Sequence, residues 1–202
     1  MKEHYYDKLL NINTKGVQKE RNKVVHYNRY EPTPYSAIEK LFESYQLKSS
    51  DRLVDFGCGK GRFSFYIHYF YKASAVGVEM NGAFYQEAIE NQDRYARKVK
   101  NESHHIHFYC GLAEEYEIDH RDNRFYFFNP FSVQIFMKVI NNILLSYENS
   151  ERQVELILYY APDEYVHYLE TQTFFEFKEE ISLVTDYNQD PFERFLIYQL
   201  SY

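Results

Sequence analysis

The chain has 202 residues, 45% hydrophobic and 26% charged, which is the range of one folded domain and excludes a disordered or fibrous protein. No apolar run approaches bilayer-spanning length, and no apolar signal core comes after Met-Lys-Glu-His-Tyr-Tyr-Asp, so a cytoplasmic protein with no membrane partner is expected. The net charge is −7, with +4 in the first thirty residues and so −11 in the rest, which argues against extended duplex nucleic acid as a partner.

The basic N-terminal stretch, residues 1–30, reads as a helical appendage, with Tyr5, Leu9 and Ile12 at helical spacing and Gly16 interrupting a polar, basic run to Arg29. Thr33 is placed to cap a helix that begins at Pro34 and runs through Ile38, Leu41, Phe42 and Tyr45, and its first turn is expected to overhang a ligand crevice. Tyr30 and Tyr35 are expected to form part of a lid there.

Leu53-Val54-Asp55-Phe56-Gly57-Cys58-Gly59-Lys60-Gly61-Arg62 is a strand end followed by a glycine-rich turn and a helix. Glycines at 57, 59 and 61 let backbone approach a ligand closely, and such turns lie where α/β sheets bind ligands. A dinucleotide fingerprint places its third glycine one residue later, and a phosphate-gripping loop continues with Lys-Ser/Thr. The acid before the glycines suits a cationic ligand end better than a pyrophosphate.

Downstream, helical and strand patterns alternate. A helix over Arg62–Lys72 precedes a strand over Ala75–Glu79, and Asn81 caps a helix to about Val99. Strands over His105–Cys110 and Phe125–Phe128 come next, then a helix after Pro130, a buried strand over Val154–Tyr160 and a helix from Pro162. The tail alternates as two strands, Phe174–Val184 and Glu193–Leu200, joined by a turn at Asn188–Pro191. Such alternation means an α/β, doubly wound, mostly parallel sheet with right-handed crossovers, here over residues 31–202.

At Asp55, Gly57, Gly59 and Gly61 the sequence resembles the class I S-adenosylmethionine-dependent methyltransferases, whose first motif is an acid followed by Gly-x-Gly-x-Gly. The resemblance implies a Rossmann-like seven-stranded sheet with an antiparallel last strand. It implies S-adenosylmethionine as cofactor, S-adenosylhomocysteine as product, and a methyl acceptor that the motifs do not identify. Asp55, Phe56 and the Gly57–Gly61 turn would hold the methionine end and Glu79, 24 residues after Asp55, the ribose hydroxyls. Met80 would lie against the adenine, with Gly111, Leu112 and Ala113 at its edge, although Leu112 stands where the family carries an acid. Asn129-Pro130-Phe131 looks like a shortened form of the Asn-Pro-Pro-Tyr motif of amino-group methyltransferases. Asn129 would then touch the cofactor and orient a nitrogen acceptor catalytically. Otherwise it simply caps the next helix.

Two further readings stay open: a cofactor-binding subunit without catalysis, and an RNA-modifying enzyme that holds a single strand with its basic N-terminus and tyrosines. His104, His105 and His107 lack a third ligand at recognisable spacing, so no metal is expected. Cys58 and Cys110 suggest a reducing compartment rather than a disulfide scaffold, and oligomeric state is not encoded in any motif.

Overall fold

In chain order the elements are α1 (Lys2–Leu10), α2 (Tyr35–Ser44), β1 (Arg52–Phe56), α3 (Arg62–Tyr71), β2 (Ser74–Glu79), α4 (Gly82–Lys98), β3 (Ile106–Cys110), β4 (Arg124–Phe128), α5 (Val133–Asn149), β5 (Val154–Tyr159), α6 (Asp163–Gln172), β6 (Phe175–Ser182) and β7 (Arg194–Leu200). This computed structural model describes residues 2–16, 26–28, 31–99, 105–183 and 190–200. Tyr30, His104 and the expected turn at Asn188 lie outside them.

The strands form one sheet in the order β3-β2-β1-β4-β5-β7-β6. Neighbours from β3 to β5 are parallel, and β7 lies antiparallel between β5 and β6. This is the expected doubly wound, Rossmann-like sheet. Its order reverses between β1 and β4, which opens a crevice beyond their carboxyl ends.

Alternating side chains build a core on each face. Val54, Phe56, Phe125 and Phe127 face α5 and α6, which supply Phe136, Ile140, Tyr165 and Leu169. Leu53, Tyr126, Ile157 and Tyr159 face the other layer, where α2 and α3 supply Ile38, Leu41, Phe63 and Ile67. Aromatic rings do much of this filling: Phe136 stacks on Tyr165 with centroids 3.7 Å apart, and Phe63 on Tyr126 at 4.0 Å.

The N-terminal helix joins this second layer, with Leu10 and Ile12 buried in the same cluster as α2 and α3. A buried polar network ties it down. Asp7 accepts from the Thr14 backbone N–H at 3.0 Å, the Thr14 hydroxyl at 2.8 Å and the Tyr35 hydroxyl at 2.8 Å. Arg62, at the start of α3, donates to Thr14 Oγ1 at 2.8 Å and the Thr33 carbonyl at 2.9 Å, pairs with Glu3 and lies over the Tyr35 ring at 4.4 Å.

Three local expectations are corrected. Thr33 does not cap α2: its hydroxyl meets Tyr126 Oη at 2.8 Å, and Glu3 of α1 accepts from the Tyr35 N–H at 3.0 Å instead. Tyr35 is no lid, being fully buried with its ring stacked on Tyr6 at 4.7 Å. Asn129 does not cap the helix after Pro130, because residues 130–132 pair with residues 26–28, and α5 starts only at Val133 after Ser132.

Candidate functional site

β1 ends at Phe56, and the chain turns through Gly57 at φ +81° and Gly61 at φ +83°, conformations that only glycine adopts without strain. A Cβ on Gly57 would stand 2.8 Å from the Cβ of Pro130, so this glycine brings the turn against the end of β4. A Cβ on Gly61 would stand 2.6 Å from the Phe108 ring, so this one seats α3 against the sheet.

The turn's N–H groups are engaged internally. Those of Gly57 and Cys58 donate to the Val78 carbonyl at 2.9 and 3.1 Å, and that of Gly61 to the Cys58 carbonyl at 2.9 Å. The Gly59 N–H donates to Glu79 Oε2 at 2.9 Å. A phosphate cradle needs such groups free. This turn instead holds carboxylates at the crevice.

Asp55 and Glu79 are those carboxylates, both buried and both lining the crevice. Glu79 also accepts from the Asn81 N–H at 2.7 Å, while Asn81 caps α4 by accepting from Ala83 and Phe84 N–H at 2.9 and 3.4 Å. Each Glu79 oxygen retains a lone pair. Asp55 is different: among the described residues no donor reaches its carboxylate. Burial, with a smaller contribution from the Glu79 charge, raises its pKa from 3.8 to about 8. Burial raises Glu79 as well, but backbone N–H groups pull it back. Burial thus favours the protonated form of Asp55 near neutral pH, and a cationic group arriving there would favour its carboxylate.

The rest of the crevice is built from Met80 and Phe84 after β2, Gly111 and Ala113 after β3, Phe128 and Pro130 after β4, and Pro32 and Thr33 before α2. Gly111 and Ala113 line it while Leu112 between them does not. The Phe56 side chain is in the core, with its ring 5.1 Å from that of Phe127, so only its backbone borders the turn. Cys58 lines the crevice, but burial raises its thiol pKa well above the ordinary value and leaves it without thiolate character. His105, just before the edge strand β3, and His107 on it are exposed and do not join the crevice, and among the described residues no group of three potential ligands gathers for a metal.

Residues 26–28 contribute a wall that the motifs did not indicate. Tyr27 bridges Phe131, donates its hydroxyl to Glu114 Oε2 at 2.7 Å and accepts from the Ala113 N–H at 3.4 Å. Asn28 donates its amide to the Asn129 carbonyl at 2.8 Å and to Asn129 Oδ1 at 3.2 Å, while its backbone N–H donates to the Pro130 carbonyl at 2.9 Å. Asn129 itself sits at φ +37°, a strained setting for a residue with a side chain. Tyr27→Phe should loosen the wall at Ala113 and weaken ligand binding in the crevice about fivefold, from the loss of roughly 1 kcal/mol of hydrogen bonding. Calorimetric titration with S-adenosylhomocysteine measures it; an unchanged Kd would remove Tyr27 from the binding wall.

A seven-stranded sheet of this order, with Asp55 next to the end of β1 before Gly-x-Gly-x-Gly and Glu79 ending β2, fits the resemblance to the class I S-adenosylmethionine-dependent methyltransferases. Residues 33–127, from just before α2 into β4, match the family described as a methyltransferase domain. No curated protein matches the chain. Solved structures agree in fold. The chain is similar to an RNA methyltransferase from Salinibacter ruber in complex with S-adenosyl-L-homocysteine, at 16% identity over 84% of this chain and 92% of that one, TM-score 0.51. It is also similar to a precorrin-6y C5,15-methyltransferase from Geobacter metallireducens, at 12% identity over 82% and 84%, TM-score 0.55. A third is YjhP from E. coli, at 12% identity over 75% and 69%, TM-score 0.54.

Proposed function

We propose that the chain transfers a methyl group from S-adenosylmethionine to a nitrogen atom presented at Asn129. When bound, the cofactor supplies a methyl on a sulfonium sulfur, which the acceptor's lone pair takes as the S–C electron pair returns to sulfur. The observation that carries this reading is the buried Asp55 carboxylate, with no donor among the described residues, facing a crevice that ends at Pro130. It fits an α-ammonium group, which would restore the missing partner.

The other residues then take roles by position. Glu79 would accept from the two ribose hydroxyls with its remaining lone pairs. Met80 and Phe84 would flank the adenine, and Gly111 and Ala113 would meet its edge. Asn129 would orient the nitrogen, with Asn28 holding its backbone and side chain. The protein's own contribution is to align the two reactants and exclude water, which is worth several kcal/mol of barrier.

Asn129→Ala should lower kcat about tenfold with little change in cofactor Kd, since the amide would position the acceptor rather than hold the donor. The parent experiment is extract labelling with methyl-tritiated cofactor, followed by separation of protein, nucleic acid and small molecules. Absence of label in every fraction, with S-adenosylhomocysteine still bound, would favour a cofactor-binding subunit without catalysis.

A further inference from the structure

A second pocket adjoins the cofactor crevice at the carboxyl ends of β4 and β5, and Asn28, Glu31 and Phe128 line both. Asn129 lines this second pocket and not the first, together with Tyr159, Tyr160 and Glu193. Any molecule lodged here lies beside Asn129 with the donor crevice next door.

The walls of this pocket are aromatic. Phe128 and Tyr159 have ring centroids 4.5 Å apart, and Tyr160 stands at 6.3 Å from Tyr159 and nearly perpendicular, so rings meet the space from two directions. Ring faces attract cations electrostatically, by about 0.5–2 kcal/mol each. Tyr160 is held with φ +56° and its hydroxyl donates to Asp190, so it is fixed in place at some backbone cost.

Among the described residues, the charges that line the pocket are all of one sign. Glu31 and Glu193 line it, and with Asp190 they raise the Tyr159 phenol, whose first cause of upward shift is burial. None of its lining residues is a lysine or arginine. Arg194, the next cation along β7, is turned to Glu180 at 3.0 Å. Rings with carboxylates at their edges recognise an organic cation, and the same carboxylates oppose a phosphate.

We propose that the methyl acceptor is an organic cation, a basic amine or guanidine, whose charged end is held in this pocket by Glu31, Glu193 and the rings of Phe128, Tyr159 and Tyr160. The proposal rests on the methyltransferase reading above and narrows its acceptor class. A nitrogen that gains the methyl must give up one proton, and the carboxylates of Glu31 and Glu193 are placed to receive it. An RNA strand, whose phosphates these carboxylates would repel, is disfavoured as the acceptor.

The test is calorimetric titration of the full chain at pH 8, first with S-adenosylhomocysteine and then, on the loaded protein, with agmatine, with cadaverine and with adenosine monophosphate. Saturable binding of agmatine or cadaverine is expected, weakened about tenfold by Glu193→Gln and further by adding Glu31→Gln. Glu193→Gln, at a residue that lines only the second pocket, leaves the affinity for S-adenosylhomocysteine within twofold of the parent, which also reports that this variant folds. If neither cation binds the loaded protein, this proposal alone is overturned; tighter binding of the nucleotide, or cation binding that the double variant leaves unchanged, would overturn it equally. Failure of S-adenosylhomocysteine to bind would overturn the cofactor reading and this proposal together.

Discussion

Asp55→Asn is expected to weaken S-adenosylhomocysteine binding more than a hundredfold, the largest loss of any single substitution in the crevice. The carboxylate is buried with no donor among the described residues, so its only compensating partner would be the ligand's ammonium group. Loss of a buried charge pair's anion leaves the cation unpaired, a cost of roughly 3–5 kcal/mol. Parent binding should also depend on pH. With the Asp55 pKa raised to about 8, the acid is protonated at neutral pH, so affinity should rise close to tenfold per unit up to about pH 8 and level beyond it. The sign for stability is the reverse of an ordinary paired aspartate. The folded pKa lies above the unfolded one, so the folded apoprotein binds more protons between about pH 4 and 8 and loses stability as pH rises through that window. Urea unfolding of parent and Asp55→Asn between pH 5 and 9 would show a falling parent curve and a flatter variant. Equal slopes would mean that Asp55 holds no proton.

Glu79→Ala is expected to cost both the turn and the ligand. Its two oxygens hold the Gly59 and Asn81 N–H groups, so removal unties the glycine turn from the start of α4 and leaves two donors without partners. The stability loss should be about 2–4 kcal/mol by urea unfolding, from two lost bonds at 1–2 kcal/mol each. Cofactor affinity should fall at least a hundredfold, because the proposed ribose contact and the turn geometry would go together. A third readout separates those roles: removing the neighbouring charge should lower the Asp55 pKa and shift the pH dependence of residual binding to lower pH. Unchanged binding in Glu79→Ala would sink the ribose assignment.

Much of the scaffold is legible in the chain because its signals are local. The strand-ending acid and glycine spacing lie within ten residues, Asn81 caps the helix directly after it, and the runs at Val154–Tyr159 and Arg194–Leu200 carry their own periodicity. Where structure and sequence pattern differ, the partners lie far apart along the chain. Thr33 has the chemistry of a cap, but Tyr126 takes its hydroxyl and Glu3 takes over the capping. Tyr35 stands before the crevice in sequence, yet the Asp7 and Arg62 network draws it into the core.

Residues 26–28 make the same point at the site itself. Asn28 and Asn129 meet across 101 positions, and Tyr27 reaches Glu114 across 87. Nothing in the composition around either residue announces such a pairing. It forms because the extended backbone after β4 has free hydrogen-bonding groups that must be satisfied.

The sequence by itself determined that a parallel α/β sheet carries an acid and a glycine turn at its central strand end, since periodicity and backbone freedom are properties of short segments. Only the tertiary structure decided that Asp55 is left without a donor among the described residues, that Gly57 stands against Pro130, and that Asn129 faces a second, acid-edged aromatic pocket. Burial, close approach and electrostatic surroundings are set by which distant segments share a space, and the order of residues along the chain does not state that.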